Sequence, residues 1–327
     1  MLEIKILFTG GTIGSSENDG FICADSDKKF TLIEKAKKKL GTKVGFSSYE
    51  VCSVLSENIT AQNLYEIAVA VKESIKDSPD GIVLTHGTDT LAYSAAFLSY
   101  IFSDCNIPIV LVSSNYILSD SRANGVDNLV GAVEFIRAKK GTGVFVAYKN
   151  TGDSLRIHRG TRIVPQLPCS DDIFSIKGSY YAEVLTSGVI LNENYSEKKD
   201  ELKPISPLAL TKGAKVLFLE AQPLMALPSL DSRFGAVLIK SFHSGTLPTE
   251  NEALIKFTEE ARGLCIPIFL LGAEERTQYA STKAFSALGI EALPAMSPCA
   301  AYAKLRLLLG NGDGLFSMTQ SLSGDIL

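Results

Sequence analysis

The sequence lacks several patterns that mark particular classes of protein. Its six cysteines lie far apart and form no C-x-x-C pair, so the usual zinc and dithiol motifs are excluded. No apolar run approaches the roughly 18 residues that a membrane-spanning helix needs, and the short alternating N-terminus does not resemble a secretory signal. With 32 basic against 36 acidic residues, the net charge is −4, which leaves no basic footprint for nucleic acid. These absences, together with thiols scattered as in a reducing compartment, predict a cytoplasmic protein that binds neither membrane nor nucleic acid.

The residues that are present favour an α/β fold. Hydrophobic residues make up 46% of the 327 positions, which is ample for a core. Short Val-, Ile- and Leu-rich runs alternate with stretches of helical apolar spacing, as in a mostly parallel sheet flanked by helices. The predicted strands are Glu3–Thr9, Gly81–Thr85, Ile107–Ser113, Gly143–Ala147, Lys215–Glu220, Ala236–Ser241 and Ile266–Leu271. The predicted helices are Ala61–Asp77, Leu91–Phe102, Ala123–Ala138 and one opened by a capping box of Thr249 and Glu252.

One segment interrupts this alternation and predicts a domain boundary. Residues 187–210 contain a charged run from Glu197 to Glu201 followed by Pro204 and Pro207, a composition typical of interdomain linkers. We therefore expect a larger N-terminal domain at residues 1–186 and a smaller C-terminal α/β domain at 211–327.

A glycine-rich segment, T-G-G-T-I-G from Thr9 to Gly14, follows the first predicted strand. In open α/β sheets, ligands bind beyond the carboxyl ends of the strands, and glycines let a ligand approach the backbone N–H groups. Thr12 would present a hydroxyl there. The segment matches neither the Walker nor the dinucleotide-binding glycine pattern, and a tight turn without function is the alternative.

Two further polar clusters adjoin predicted elements. H-G-T-D-T, from His86 to Thr90, follows a strand, and Ser56-Glu57-Asn58 precedes the helix that begins at Ala61. Each cluster can hold a polar ligand, or it can cap the helix that follows it. The three histidines do not have the spacing of metal ligands, so no metal site is predicted; they are His86, His158 and His243.

Together these segments resemble the signatures of the bacterial-type L-asparaginases, the asparaginase/glutaminase family, and are most similar to its cytoplasmic type I branch. T-G-G-T-I-G and T-H-G-T-D-T look like the two family signatures, and their separation matches. Ser56–Asn58 resembles the family's substrate-binding Ser segment, and Arg122–Leu129 resembles its R-S-D-G-x-x-N-L stretch. The resemblance covers nearly the whole chain.

The resemblance implies a two-domain α/β amidohydrolase that converts L-asparagine to L-aspartate and ammonia without a cofactor. By motif position, Thr12 is the nucleophile, and Thr88 and Asp89 act with a Lys as an activating set. The residues implied in substrate binding are Gly11, Ser56, Glu57, Gly87, Thr88 and Asp89. Because family active sites are completed by a neighbouring subunit, a homodimer or homotetramer is also implied.

Two departures from the family pattern affect catalysis. Phe21 stands where the family has a Tyr on a lid, so the hydroxyl near Thr12 is missing. Pro165 stands where the R-G-x-x-x-K stretch supplies the catalytic Lys, and proline carries no charge. Candidates to replace that Lys are Lys149, Lys177 and Arg162, although a guanidinium does not act as a base.

The C-terminal domain departs as well, because residues 272–279 replace the T-Q-C-x-x-G-like segment of cytoplasmic members. Two interpretations therefore remain: an active amidohydrolase, and a catalytically weak or inactive homologue that binds an amino acid or small amide. A transfer-RNA amidotransferase component on the same fold is disfavoured, since the sequence has no extra N-terminal domain and no basic patch.

Overall fold

The chain folds into two compact units, residues 1–196 and residues 197–327. The computed structural model describes residues 1–11, 13, 15–18, 21–24, 26–273 and 279–327, with only the backbone described at 15–18, 21–24 and 26–29. Both units combine a sheet with helices, and the predicted α/β class is confirmed.

The first unit is built on an eight-stranded mixed sheet with the order β10-β9-β8-β7-β6-β5-β1-β4. Its strands are β1 (Leu2–Gly10), β4 (Val44–Val54), β5 (Gly81–Thr85), β6 (Pro108–Val112), β7 (Gly143–Lys149), β8 (Leu155–Arg159), β9 (Ala182–Leu185) and β10 (Gly188–Leu191). The five strands from β4 to β7 are parallel to their neighbours, and β8, β9 and β10 continue the sheet in antiparallel fashion. A separate antiparallel pair consists of β2 (Ser15–Asn18) and β3 (Phe21–Ala24).

Four helices accompany this sheet: α1 (Ser26–Leu40), α2 (Ala61–Lys76), α3 (Leu91–Ile101) and α4 (Gly125–Ala138). The start of α2 is fixed by a capping box, in which the Thr60 side chain accepts from the Asn63 N–H and the Asn63 side chain accepts from the Thr60 N–H. Every residue of β5 and β6 is buried, as expected for strands covered on both faces.

The second unit contains a four-stranded parallel sheet in the order β11-β12-β13-β14. Its strands are β11 (Lys215–Glu220), β12 (Phe234–Lys240), β13 (Ile268–Leu271) and β14 (Ile290–Ala292), and its helices are α5 (Glu252–Gly263), α6 (Phe285–Leu288) and α7 (Pro298–Asn311). Lys304 on α7 forms a fully buried ion pair with Asp325 at 2.8 Å, which ties the last residues of the chain to that helix.

The segment at 187–210 is more ordered than its composition suggests. Its first residues form the edge strand β10, which pairs with β9. The boundary between the two units falls after Ser196, inside the stretch that the composition marks as a linker.

No helix within the described ranges combines the length and the apolar character needed to cross a bilayer.

Candidate active site

The three polar clusters lie where neighbouring strands of the first sheet end. β4, β1, β5 and β6 are adjacent and parallel, so their carboxyl ends share one edge of the sheet. The glycine-rich segment leaves β1, Ser56 follows β4, and His86 to Thr90 leave β5. The topology therefore brings together segments that are about 30 to 75 positions apart in sequence, at the edge where open α/β sheets bind ligands.

The first two segments touch through their backbones. Gly11 has φ +84°, and a Cβ atom placed on it would lie 2.4 Å from the Gly87 nitrogen and 2.6 Å from the His86 carbonyl carbon. Gly10 has φ +105°, and a Cβ there would lie 2.3 Å from the Val54 carbonyl oxygen. Only glycine satisfies both the left-handed backbone and the close approach. The structure thus places Gly11 against Gly87, while Thr12 lies outside the described residues.

Thr9 and Thr85 join the ends of β1 and β5 below this contact. The Thr9 hydroxyl donates to the Thr85 carbonyl oxygen at 2.5 Å, and the Thr9 N–H donates to the Thr85 hydroxyl at 3.3 Å. Both side chains are buried. Neither residue is among those predicted from the sequence, although each is a Thr that ends a strand directly before a signature segment, and that repeated position is the available signal.

The second and third clusters are linked through Ser56 and Asp89. The Ser56 hydroxyl, which is buried, donates to Asp89 Oδ2 at 3.2 Å. Gly87 permits this approach, because a Cβ on it would lie 2.4 Å from Ser56 Oγ. Asp89 itself is exposed, Thr88 is half-buried, and Glu57 is exposed beside Ser56. An exposed carboxylate held by a buried hydroxyl is suited to binding a cationic ligand group.

Helix capping does not account for either cluster. Thr90 occupies the N-cap of α3, but its side chain makes no capping bond and instead donates to the Ser56 carbonyl oxygen at 2.9 Å. The side chain of Asp89 is likewise directed to Ser56. Ser56, Glu57 and Asn58 form one turn of 3₁₀ helix, whereas α2 is capped by Thr60. The side chains of the two clusters contact each other rather than the helix ends.

Three consecutive backbone donors lie at the start of α3. Among the described residues, the N–H groups of Gly87, Thr88 and Asp89 have no hydrogen-bond partner. They precede a helix whose dipole places partial positive charge at this end. Such an arrangement binds anionic oxygen atoms.

His86 is buried behind this loop. Its exposed fraction is 3%, and Nδ1 lies 2.8 Å from the Gly87 carbonyl oxygen. Burial lowers the pKa of the ring below its ordinary value, against the opposing effects of that hydrogen bond and of the Asp89 charge, so the ring is neutral. From the sequence, His86 is considered only as a metal ligand, and this contact is not anticipated. No cluster of three or more potential metal ligands occurs within the described ranges.

The candidates for the missing Lys have other partners or positions. Lys149 ends β7, three strand positions from β1, or about 14 Å at the usual strand spacing, and its ammonium lies 3.3 Å from Asp127. The Arg162 side chain is buried, donates to the Ser196 carbonyl oxygen at 2.5 Å and lies over the Tyr195 ring at 4.4 Å, so it stabilises the end of the first unit. Lys177 is exposed, and Pro165 is half-buried. At Phe21 only the backbone, in β3, is described.

A groove of about 850 Å³ between β4 and α2 is separate from this cluster. It is lined by Tyr49, Tyr65 and Val69 among others, and its lining does not include Ser56, Gly87 or Asp89. The groove therefore contributes nothing to the site at the carboxyl edge.

Comparisons with known proteins place this geometry in a family. A family model described as "Asparaginase, N-terminal" matches residues 3–195. Among curated proteins, the D component of glutamyl-tRNA(Gln) amidotransferase from Haloquadratum walsbyi is 33% identical over 180 residues, covering 54% of this chain and 40% of that protein. The component of the same name from Methanobrevibacter smithii is 26% identical over 340 residues, covering 99% of this chain and 76% of its own.

Solved structures show the same fold. The thermostable L-asparaginase from Thermococcus kodakarensis has a TM-score of 0.82 at 24% identity and covers 100% of this chain and 99% of its own. L-asparaginase I from Vibrio cholerae has a TM-score of 0.78 at 22% identity with the same coverage. Because the family model spans more than half of the sequence, and the resemblance read from the signatures agrees with it, the chain belongs to the asparaginase family.

Proposed function

We propose that this asparaginase-family amidohydrolase hydrolyses the side-chain amide of L-asparagine to give L-aspartate and ammonia. The observation that carries the proposal is the joining of the two signature segments and the Ser56 turn: Gly11 lies against Gly87, and Ser56 binds Asp89. The arrangement offers a carboxylate for a substrate ammonium group and backbone N–H groups for an oxyanion, both beside the segment that carries Thr12.

In the proposed mechanism, the Thr12 hydroxyl attacks the amide carbon and loses its proton to a base. The tetrahedral oxyanion is stabilised by backbone N–H groups of the Gly11 or Gly87 segment. The amide nitrogen takes up a proton and leaves as ammonia, so that an acyl ester on Thr12 remains. Water then attacks the ester, aspartate is released, and the hydroxyl regains its proton. Thr88 and Asp89 belong to the activating set, and Ser56, Glu57 and Asp89 bind the substrate's amino and carboxylate groups.

A weak or inactive homologue that binds an amino acid or small amide is the alternative. Phe21 and Pro165 favour it, because a Thr hydroxyl without a partner loses general-base assistance worth about 10²–10⁴-fold in rate. Under this alternative, Phe21→Tyr raises a low rate of asparagine hydrolysis by restoring the lid hydroxyl.

A second candidate function is the amidase component of a tRNA-dependent amidotransferase. It is favoured by the curated relatives, which are named as components of glutamyl-tRNA(Gln) amidotransferase. On this alternative the ammonia released at the same site is passed on rather than set free. The net charge of −4 supplies no basic footprint for tRNA, so a partner protein would have to bind the nucleic acid.

The deciding experiment measures ammonia release from asparagine, glutamine and other amides by the purified protein, with Thr12→Ala as the blank. We expect asparagine to be the best substrate and Thr12→Ala to lose turnover by several orders of magnitude while keeping its fold. Binding of aspartate without release of ammonia from any amide would support the inactive homologue. Equal rates for Thr12→Ala and wild type would move the chemistry to another residue.

We also propose that the protein is cytoplasmic and forms a homodimer or homotetramer, as the family resemblance implies. The N-terminal unit alone contains every described residue of the predicted site, so the contribution of a neighbouring subunit is a separate question for experiment.

A further inference from the structure

The mechanism above leaves one buried titratable group beside the site without a role. His86 is nine-tenths or more buried, and Nε2 has no hydrogen-bond partner among the described residues. Its one contact of known geometry runs from Nδ1 to the Gly87 carbonyl oxygen at 2.8 Å. A carbonyl only accepts, so the proton of the neutral ring is on Nδ1.

This hydrogen bond determines the direction of the next backbone donor. The Gly87 carbonyl and the Thr88 N–H belong to one planar peptide group and point in opposite directions. Because the buried ring holds the carbonyl, the Thr88 N–H is directed away from the ring and the core. That N–H has no partner among the described residues, as expected of a donor reserved for a ligand.

The peptide needs such an anchor because Gly87 does not restrict its own conformation. Glycine has the widest backbone freedom, and here the residue must be glycine, since a Cβ would meet Ser56 Oγ at 2.4 Å. The close approach to Ser56 therefore excludes a side chain that would stiffen the loop, and the His86 hydrogen bond takes over that task.

We propose that His86 is a positioning residue that holds the Gly87–Thr88 peptide so that the Thr88 N–H faces the developing oxyanion. The proposal rests on the amidohydrolase function proposed above. A displaced oxyanion donor lowers kcat by about 10²–10³-fold in comparable sites, and a merely reoriented one costs less.

The test compares His86→Leu with His86→Asn. Leucine keeps the apolar volume but removes the donor, whereas the Asn amide nitrogen lies near the place of Nδ1 and still reaches the Gly87 oxygen. We expect kcat for asparagine hydrolysis to fall at least tenfold in His86→Leu with KM changed less than threefold. We expect His86→Asn to retain kcat within about threefold of the wild type.

The matched control is His158→Asn. His158 is also fully buried in the first unit, but its Nδ1 contacts the Ser175 hydroxyl at 2.8 Å on β8. Its substitution changes a buried histidine without touching the Gly87 peptide, so kcat should stay within twofold even if thermal stability falls.

A second measurement is independent of turnover: the backbone ¹⁵N–¹H signal of Thr88 and its hydrogen-exchange rate. We expect both to change in His86→Leu and to stay near wild type in His86→Asn. If the wild type releases no ammonia, the proposed function fails, and the Thr88 signal alone then decides the positioning role.

Several results would overturn the proposal. One is an unchanged kcat and Thr88 signal in folded His86→Leu; another is an equal loss in His86→Asn and His86→Leu. An inflection in kcat near pH 6.5, the ordinary histidine pKa, that disappears in His86→Asn would instead make His86 a titrating base. If His86→Leu does not fold, His86→Gln replaces it, because its amide takes the place of Nε2 and leaves Gly87 without a donor.

Discussion

At the scale of single residues, Gly11 and Gly87 are required by different neighbours. A Cβ on Gly11 meets backbone atoms of His86 and Gly87, whereas a Cβ on Gly87 meets the Ser56 side chain. Backbone cannot rotate away, so a substitution at Gly11 must separate the two signature segments. The glycine-rich segment is therefore more than a tight turn, because its second glycine is where the two halves of the site touch.

We predict that Gly11→Ala destabilises the protein by about 2 kcal/mol more than Gly152→Ala. Gly152 has φ +81°, nearly the same as the +84° of Gly11, but nothing lies within 4 Å of its Cβ position. Both variants carry the left-handed strain of about 1–2 kcal/mol, and only Gly11→Ala adds the backbone collision. Urea denaturation measures the difference, and equal free energies of unfolding would show that the contact with Gly87 does not constrain the fold.

The Ser56 hydroxyl orients the Asp89 carboxylate, and Ser56→Ala tests its value. Hydrogen bonds to charged groups contribute about 1.5–3 kcal/mol, so we expect KM for asparagine to rise about tenfold or more. Thr90→Val is the matched variant, because it removes the bond to the Ser56 carbonyl oxygen and leaves the Ser56–Asp89 bond in place. A KM increase of equal size in both variants would mean that docking of the turn, rather than orientation of Asp89, is what matters.

At the scale of elements, the start of α5 differs from the sequence prediction. The predicted capping box of Thr249 and Glu252 is wrong: Asn251 is the N-cap, and its side chain accepts from the Ala253 N–H at 2.8 Å. Both Asn and Thr are common caps, so the pattern Thr-x-x-Glu alone does not decide between Thr249 and the nearer Asn251. The helix begins only after Pro248 and Thr249 have turned the chain.

We predict that Asn251→Ala lowers the free energy of unfolding by about 1 kcal/mol, whereas Asn251→Asp retains stability because a carboxylate also caps and favours the helix dipole. Thr249→Val, which removes a hydroxyl at nearly constant volume, should change stability by less than about 0.5 kcal/mol if that residue is not the cap. Thermal unfolding followed by circular dichroism separates the three. A larger loss in Thr249→Val than in Asn251→Ala would restore the capping box of Thr249 and Glu252.

The predictable strands are those whose burial is written in their own residues. β5 and β6 are apolar throughout and lie in the middle of the sheet, and the sequence predicts both to within a residue or two. The sequence does not predict β4, because this strand lies at the sheet edge, where Ser47, Ser48, Tyr49 and Glu50 are exposed and no apolar run remains. The antiparallel strands β8, β9 and β10 escape prediction for a related reason, since they are short and their pairing is defined by partners rather than by composition.

The candidate site is predictable in membership but not in its contacts. Resemblance to the family selects Ser56, Gly87 and Asp89, and the structure brings these three together. The diversion of Thr90 from helix cap to Ser56, and the burial of His86 against Gly87, depend on packing between segments that are distant in sequence. No local pattern encodes such contacts, because each requires the sheet order β5-β1-β4 to exist first.

At the scale of the whole molecule, the departures from the family pattern are unevenly distributed. Ser56, Gly87, Thr88 and Asp89 keep the family residue types in the first unit, whereas residues 272–279 of the second unit do not. Residues 274–278 lie outside the described part of the chain. If the second unit of one protomer serves the first unit of another, its divergence changes the substrate range more than the chemistry.

We predict that the active species is an oligomer, because family sites are completed by a neighbouring subunit. The chain has a mass of 35.2 kDa, so light scattering at micromolar concentration should give at least about twice that value, in an assembly with closed two-fold symmetry as the default. Dilution below the dissociation constant should lower the specific activity in proportion to the oligomer fraction, since separated subunits lack part of the site. Mixing an excess of Thr12→Ala subunits with wild type extends the test: a mutant subunit that supplies the shared residues restores activity to dilute wild-type subunits. A species of 35.2 kDa with full activity at every concentration would show instead that one chain holds a complete site.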